Sequence, residues 1–404
     1  MTDWKKRIGE EVDPAELAAL TEELIRIPSF PGVPGQETGV AECLRYVLER
    51  EGIPCRLDPV QDGRCNLIAT LRGTGGGRDL LLCGHLDTVP PYDMENALIP
   101  LRSGDHIVGR GASDMKGPVA AMVCALLCLK RSGIRLKGDV IFAGVIDEEC
   151  RSLGAVHLLE QGIRAHGAIV GEPSESKLCV AHRGLEWFEF LFTGRTVHGG
   201  RQAEGVNAIS KAVKFITALD EELVPQLSLR RHPLMGRPTV NVGVIQGGTQ
   251  LSTVAGSCSV LVDRRTLPSE DYGEVCKEFA QIIDRLSAAD PDFQCRMQVT
   301  QDSRMRDGYI HPGLETDPDH PFARLVREQL SFVLGHPAEI ACFPAWTDAS
   351  LLSYYGKIPS VVYGPGYMAC CHSKEEYVRI PQLEEGCLTY ALCAAAFCGV
   401  ASPD

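Results

Sequence analysis

Several things are missing from this sequence, and each absence removes a class of protein. There is no basic tract, and Asp plus Glu number 53 against 40 Lys plus Arg, for a formal charge of −13. A nucleic-acid partner requires a basic face, so none is expected. Long apolar runs are absent too. Val119–Leu129 and Ala391–Ala401 are too short or too interrupted to span a bilayer, so they read as buried helices and no membrane partner is expected. The opening residues, Met1–Lys6, are polar and carry no signal-peptide core. No internal repeat or low-complexity tract occurs. Finally, the 17 cysteines include no Cys-x-x-Cys pair. Paired spacing marks zinc ribbons, and dense disulfide frameworks belong to short secreted chains. These cysteines (Cys83, Cys124, Cys128, Cys342, Cys393 and Cys398 among them) lie mostly in apolar segments. They read as free thiols acting as small hydrophobes in a reducing cytoplasm. The adjacent pair Cys370-Cys371 stands apart from that pattern.

What is present points to two domains. A chain of 404 residues exceeds what one hydrophobic core usually serves. Its 44% apolar and 23% charged content is that of a globular protein. Asp13-Pro14 is a good helix start, and helical spacing continues to about Ile27. A second helix is predicted over 35–51, with Val40, Leu44, Val47 and Leu48 on one face. Strands are predicted near 55–57, 66–71, 80–83, 139–146 and 167–170, and a long apolar helix after Lys116-Gly117. From His182-Arg183-Gly184 the texture changes. Strand 187–193, helix 206–219, strands 239–245 and 257–265, helix 272–286 and strand 293–300 follow in turn. That β-α-β-β-α-β order is a split βαβ, ferredoxin-like unit, and an insert of about 115 residues can form its own core. From His320 the chain returns to helix, strand, helix. The expected architecture is therefore a mixed, mostly parallel α/β sheet flanked by helices, from residues 1–183 and 300–404. A ferredoxin-like α+β domain, 184–299, is inserted in it.

The chemistry gathers at strand ends. Leu80–Cys83 has no polar interruption and reads as a buried parallel strand, which stops at Gly84-His85-Leu86-Asp87. His85 and Asp87 share a face of an extended chain. A neutral imidazole can hold a metal through one nitrogen while a carboxylate engages the other; a core-edge histidine beside a solvated Asp is the plainer alternative. Asp114 falls in a turn before the long helix, as an N-cap or a ligand. The strand 139–146 runs into Asp147-Glu148-Glu149. Three carboxylates at a buried strand end repel one another and must be desolvated together, which is costly without a cation. Glu172 sits at another strand tip. His85, Asp114, Glu149, Glu172 and His372 would suffice for two divalent ions with a bridging carboxylate. Mixed nitrogen and oxygen donors suit Zn best, with Co or Mn as alternatives. Two such ions can activate a water for attack on a carbonyl, and Glu148 is placed to be its base.

His85-Leu86-Asp87, "GRGASDMKG", "DEECRSLGA", "GEPS", "TVHGGRQAEGVNAI" and "CHSKEEYV" together resemble the M20 metallopeptidases. That group includes acetylornithine deacetylase, succinyl-diaminopimelate desuccinylase, aminoacylase and glutamate carboxypeptidase. The motifs occur in the family's order over nearly the whole chain. The resemblance implies that His85 and Glu172 hold one metal, Glu149 and His372 the other, and that Asp114 bridges them through a residue followed by a cis peptide bond. It implies that Asp87 orients His85 and that Glu148 is the general base and acid. It implies that the insert is a lid and dimerisation module of a homodimer, whose His198 reaches the partner's site. On spacing alone His198 is an ordinary surface histidine. Arg265, Ser252 and Gly364 are the substrate-binding candidates, with a strand-end salt bridge as the alternative for Arg265. The expected reaction is hydrolysis of a linear amide in a small N-acyl amino acid; an exopeptidase acting on short peptides would use the same centre. A metal-bound binding protein without activity would have lost a ligand or the base, and none is lost. Departures from the family pattern at Ser252, Ala255, Ser350 and Cys371 are expected near the substrate and so bear on specificity.

Overall fold

The computed structural model describes residues 3–301 and 303–402. The expected domain ends at residues 1 and 404 lie outside the described residues. The chain divides into two compact units: one from the segments up to Ala181 and from Leu314 on, the other His182–Gly313.

The first unit is built on a nine-stranded sheet. Its strand order is Cys55–Gln61, Arg64–Leu71, Val140–Val145, Leu80–His85, Gly167–Val170, Ser360–Val362, Leu178–His182 and Leu314–Glu315. Ile340–Cys342 also pairs with Leu178–His182. The four strands Val140–Val145, Leu80–His85, Gly167–Val170 and Ser360–Val362 run parallel. The first two strands are antiparallel. Every residue of Leu80–His85 is buried, as a strand covered on both faces must be. One face is covered by helix Lys116–Arg131, whose residues from Lys116 to Leu129 are all buried. A helix apolar on every side has to sit inside its domain. It packs between the sheet and helix Ile380–Cys398. Gly84 permits the close approach, since a Cβ there would lie 2.8 Å from Met115 Cε and 2.9 Å from Val119 Cγ2. A separate three-stranded sheet joins the hairpin Leu101–Ser103 and His106–Val108 to Tyr377–Arg379. Because the central strands are parallel, their carboxyl ends meet at one edge, where open α/β sheets carry their ligands. His85, Asp147–Glu149, Glu172 and Gly364 all follow those ends.

The second unit contains a four-stranded sheet in the order Thr239–Gly247, Ser257–Thr266, Gly184–Thr193, Gln294–Val299, with every neighbouring pair antiparallel. Each β-α-β segment thus has its two strands separated by a third, the ferredoxin-like arrangement expected. Burial alternates along Gly184–Thr193, so Phe188, Phe190 and Phe192 share the covered face. They meet Phe215 from helix Ala208–Ala218, Phe279 from helix Tyr272–Ala289, and Phe293. A buried Phe contributes about 1.5–3 kcal/mol, so this cluster supplies much of the unit's cohesion.

All seventeen cysteines are free, and only Cys150 is exposed. Among the described residues no helix is long and apolar enough to cross a membrane.

Candidate metal centre

His85 is 2% exposed and held from both sides. Its Nδ1 lies 3.0 Å from the backbone carbonyl of Asp87 and 3.6 Å from the Asp87 carboxylate. Nδ1–H donates to the carbonyl, which leaves Nε2 as the nitrogen facing the carboxylates. Nε2 is 3.0 Å from Asp114 Oδ1 and 3.8 Å from Glu172 Oε1. The Asp87 carboxylate has a second task. It accepts the backbone N–H of Glu148 at 3.2 Å and of Glu149 at 3.0 Å, fixing the turn that carries both.

Asp114 precedes a cis peptide bond to Met115. It is not a helix cap: the N-cap position is Met115, and no side-chain cap bond forms there. Its Oδ2 instead faces His372 Nε2 at 3.2 Å, and His372 Nε2 also lies 3.1 Å from Glu149 Oε2. His372 has φ +60° and Asp147 φ +71°. Left-handed backbone is costly for non-glycine residues and concentrates at functional sites.

Two sets of donors lie within 4.8 Å of one another: His85, Glu148 and Glu172, and His85, Asp114 and Glu149. Crowding is visible in the protonation equilibria. Burial raises the pKa of Glu172 well above the usual range, and neighbouring carboxylates add to it. Burial and then Glu172 do the same to Glu148. Burial and then Asp114 raise Glu149. Burial opposes ionisation of Asp114 as well, but hydrogen bonds with His372 and His85 outweigh it and its pKa falls. Burial works against protonation of His85, yet Glu172, Asp114 and Asp87 outweigh it, so its pKa is raised. Asp114 and then Glu149 push His372 up to about 10. Glu172 Oε1 is buried with no hydrogen-bond partner. Converging carboxylates, outward-facing imidazole nitrogens and an orphaned carboxylate oxygen make a donor set that fits divalent cations.

Other residues expected at the site are placed differently. Asp147 turns away from its two acidic neighbours. Its Oδ1 is 2.8 Å from Arg64 Nη2, and Arg64 also forms a double hydrogen bond with the buried Glu37 at 2.8 and 2.5 Å. Only Glu148 and Glu149 of that acidic run face the centre, because Asp147 serves an ion-pair network beneath it. Gly364 offers no side chain to a substrate. Its backbone presses on the Glu172 segment, where a Cβ would lie 2.1 Å from the Gly171 carbonyl and 2.7 Å from that of Glu172. Ser350 is fully buried and donates to the Thr347 carbonyl at 3.1 Å. Ser350 is thus held inside the core by its own turn. Cys371 Sγ and Cys370 Sγ both point at the Tyr367 carbonyl, at 3.3 and 3.1 Å.

In the second unit, His198 is exposed and its Nδ1 accepts the Gly200 N–H at 3.1 Å. Ser252 lies beside it, its carbonyl accepting the Gly199 N–H at 2.6 Å. Arg265 is half-buried and pairs with Asp263 at 2.9 Å, so the salt-bridge alternative describes its present contact. The neighbouring Arg264 is the fully buried one, engaged with Glu270 at 2.6 Å.

Spacing did not single out Glu37, Arg64, Glu376 or Asp348. Asp348 is buried beside the Ser152 side chain. Burial pushes its pKa up to about 7. An acid inside an apolar stretch such as Ala345–Leu352 was the only available signal.

These features define a hydrolase built around a candidate dinuclear centre. Residues 81–396 match the model of Peptidase family M20/M25/M40, and the chain belongs to that family. It is 31% identical to acetylornithine deacetylase of Myxococcus xanthus over 396 residues, covering 96% of this chain and 98% of that protein. It is 28% identical to N-formyl-4-amino-5-aminomethyl-2-methylpyrimidine deformylase of Bacillus subtilis, over 94% of each. Among solved structures, the fold matches a dinuclear metal-binding M20 peptidase of Bacillus subtilis with a TM-score of 0.72 at 18% identity, covering 95% of this chain and 98% of that one. The protein is thus an M20-type amidohydrolase.

Proposed function

We propose that the protein hydrolyses the linear amide bond of a small N-acyl amino acid, using two divalent ions. The orphaned, buried Glu172 oxygen among converging carboxylates and imidazoles carries this reading, since that arrangement is costly without cations. His85 and Glu172 would hold one ion, Glu149 and His372 the other, with Asp114 between them. Zn suits these donors best, with Co or Mn as alternatives. Two such ions supply Lewis acidity, lowering the pKa of a water and stabilising an oxyanion. Glu148 takes a proton on its carboxylate and returns it to the leaving nitrogen. Asp87 orients His85 through its carbonyl and holds the Glu148–Glu149 turn through its carboxylate.

Residues 184–299 would serve as the lid and dimerisation module of a homodimer, with His198 completing the partner's site and Arg265 and Ser252 meeting substrate. Seventeen free thiols are consistent with work in a reducing cytoplasm. The fold match to a peptidase supports a second reading, an exopeptidase acting on short peptides.

The deciding experiment measures amine release from N-acetyl, N-succinyl and N-formyl compounds and dipeptides, with added Zn, Co or Mn and with chelator. Metal-dependent release from N-acyl amino acids is expected. Release from dipeptides alone would select the second reading, and chelator-resistant release would refute both.

A further inference from the structure

Two of the segments that build the centre arrive from distant parts of the chain: the loop Gly109–Asp114 and the stretch Tyr367–Tyr377. One buried carboxylate joins them. Glu376 is fully buried, and its Oε1 accepts three backbone N–H groups at once: Gly111 at 3.0 Å, Ser113 at 3.1 Å and Asp114 at 3.1 Å. Its Oε2 pairs with the buried Arg110. Three donors converging on one oxygen make that loop a cup with its concave side toward Glu376. Its last member is the backbone of Asp114, whose side chain points the other way, to His85 and His372.

The junction is reinforced on both sides. The Gly109 N–H donates to the Glu376 carbonyl at 3.1 Å. The Ser113 hydroxyl donates to the Tyr377 carbonyl at 2.6 Å and accepts the Tyr367 N–H at 3.1 Å. Tyr377–Arg379 then pairs with His106–Val108. His372 lies four residues before Glu376 on the same segment. A shift of Glu376 would therefore change the separation of Asp114 from His372, the 3.2 Å contact on which a shared ion depends.

We infer that Glu376 is a positioning residue for the metal centre, setting the distance between Asp114 and His372. It touches no reacting atom and acts through the Asp114 backbone. The inference rests on the reading of Asp114 and His372 as metal ligands. Groups that orient ligands typically matter about 10–100-fold in metal affinity, although they contact no metal themselves.

Co(II) titration of the chelator-stripped protein tests this, read by binding affinity and by the visible absorption of the bound ion, which reports its coordination geometry. Wild type, E376A, E376Q and the nearby exposed-site control E375Q are compared, with melting of each stripped variant as the check on folding. E376A is expected to weaken Co(II) binding about 10–100-fold and to alter the spectrum. E376Q keeps an oxygen for the three N–H groups but loses the pairing with Arg110, and should fall between E376A and wild type. E375Q should match wild type. A purely structural role would lower the melting temperature and leave the affinity and spectrum of the folded protein unchanged. Wild-type affinity and spectrum in folded E376A, or in E376Q should E376A not fold, would overturn the inference. Failure of the wild type itself to bind Co(II) would instead overturn the metal reading beneath it.

Discussion

Arg64→Met is the sharpest test of how this centre is supported. Arg64 is nearly buried and neutralises two carboxylates that are more buried still: the side chains of Glu37 and Asp147 are 0% and 5% exposed. Burial is the largest influence on both and raises both pKa values, opposed chiefly by hydrogen bonds from Arg64. Methionine fills similar volume but supplies no charge and no donor. Removing one partner of a buried ion pair costs about 3–5 kcal/mol, because the other charge is left uncompensated. For a domain of this size that is roughly 2–4 °C per kcal/mol, or about 6–20 °C in melting temperature. The direction with pH follows. Without Arg64 the folded pKa values of Glu37 and Asp147 rise further above their unfolded values, so these groups favour folding only when protonated. The deficit against wild type is therefore largest at pH 8 and shrinks as pH falls toward 5. Melting both proteins in chelator at several pH values gives the comparison free of metal linkage. The double variant Glu37→Gln with Arg64→Met should lose less than Arg64→Met alone, since it no longer buries the Glu37 charge. A shift under 2 °C, or one independent of pH, would refute the reasoning.

Other outcomes follow from the same geometry. Glu148→Gln should retain its metal, measured by elemental analysis, while turnover falls at least 10²–10⁴-fold; an active variant would remove Glu148 as the base. Gly364→Ala should destabilise by about 1–3 kcal/mol through its clash with the Gly171 and Glu172 carbonyls, and should lower activity by displacing Glu172. A stable and fully active alanine variant would contradict that contact. His85 and His372 both have raised pKa values in the stripped protein, so metal loading at pH 7.5 should release about two protons or more, by calorimetry in buffers of different ionisation enthalpy. Uptake without proton release would mean that neither imidazole is a ligand. If sites are shared between subunits, mixing inactive Glu148→Ala and His198→Ala chains should restore activity once exchange is confirmed; no rescue would confine each site to one chain.

Much of the framework was readable along the chain because its signals are local. Leu80–Cys83 announces a doubly covered strand by having no polar residue, and Asp13-Pro14 starts its helix where a cap and a first-turn proline should. The strand and helix order of the insert likewise implied its sheet. Shorter elements were harder. Leu314–Glu315, Ile340–Cys342 and Ser360–Val362 carry only two or three residues each, too few to show a period, and pairing with their neighbours makes them strands. Candidate ligands were legible because carboxylates and histidines at the ends of buried strands are costly unless used. That is a property of composition and position, and it needs no coordinates.

Direction, partner and distance lay outside that reach. Nothing in the run Asp147-Glu148-Glu149 says that the first turns down to Arg64 while the others face the centre. Backbone at φ +71° and the position of an arginine 83 residues away decide it. Nor does the run Lys374-Glu375-Glu376 distinguish an exposed acid from one that gathers three backbone donors. Asp87 appeared as a partner for His85, yet its carboxylate chiefly holds the Glu148–Glu149 turn. The sequence by itself determined which groups are chemically able to act and at which edge of the sheet they emerge. Tertiary structure alone decided which of them converge and which bear the load behind them. The physical reason is range: propensity and burial pattern act over a few residues, whereas hydrogen bonds and ion pairs join whatever the fold brings within 3 Å.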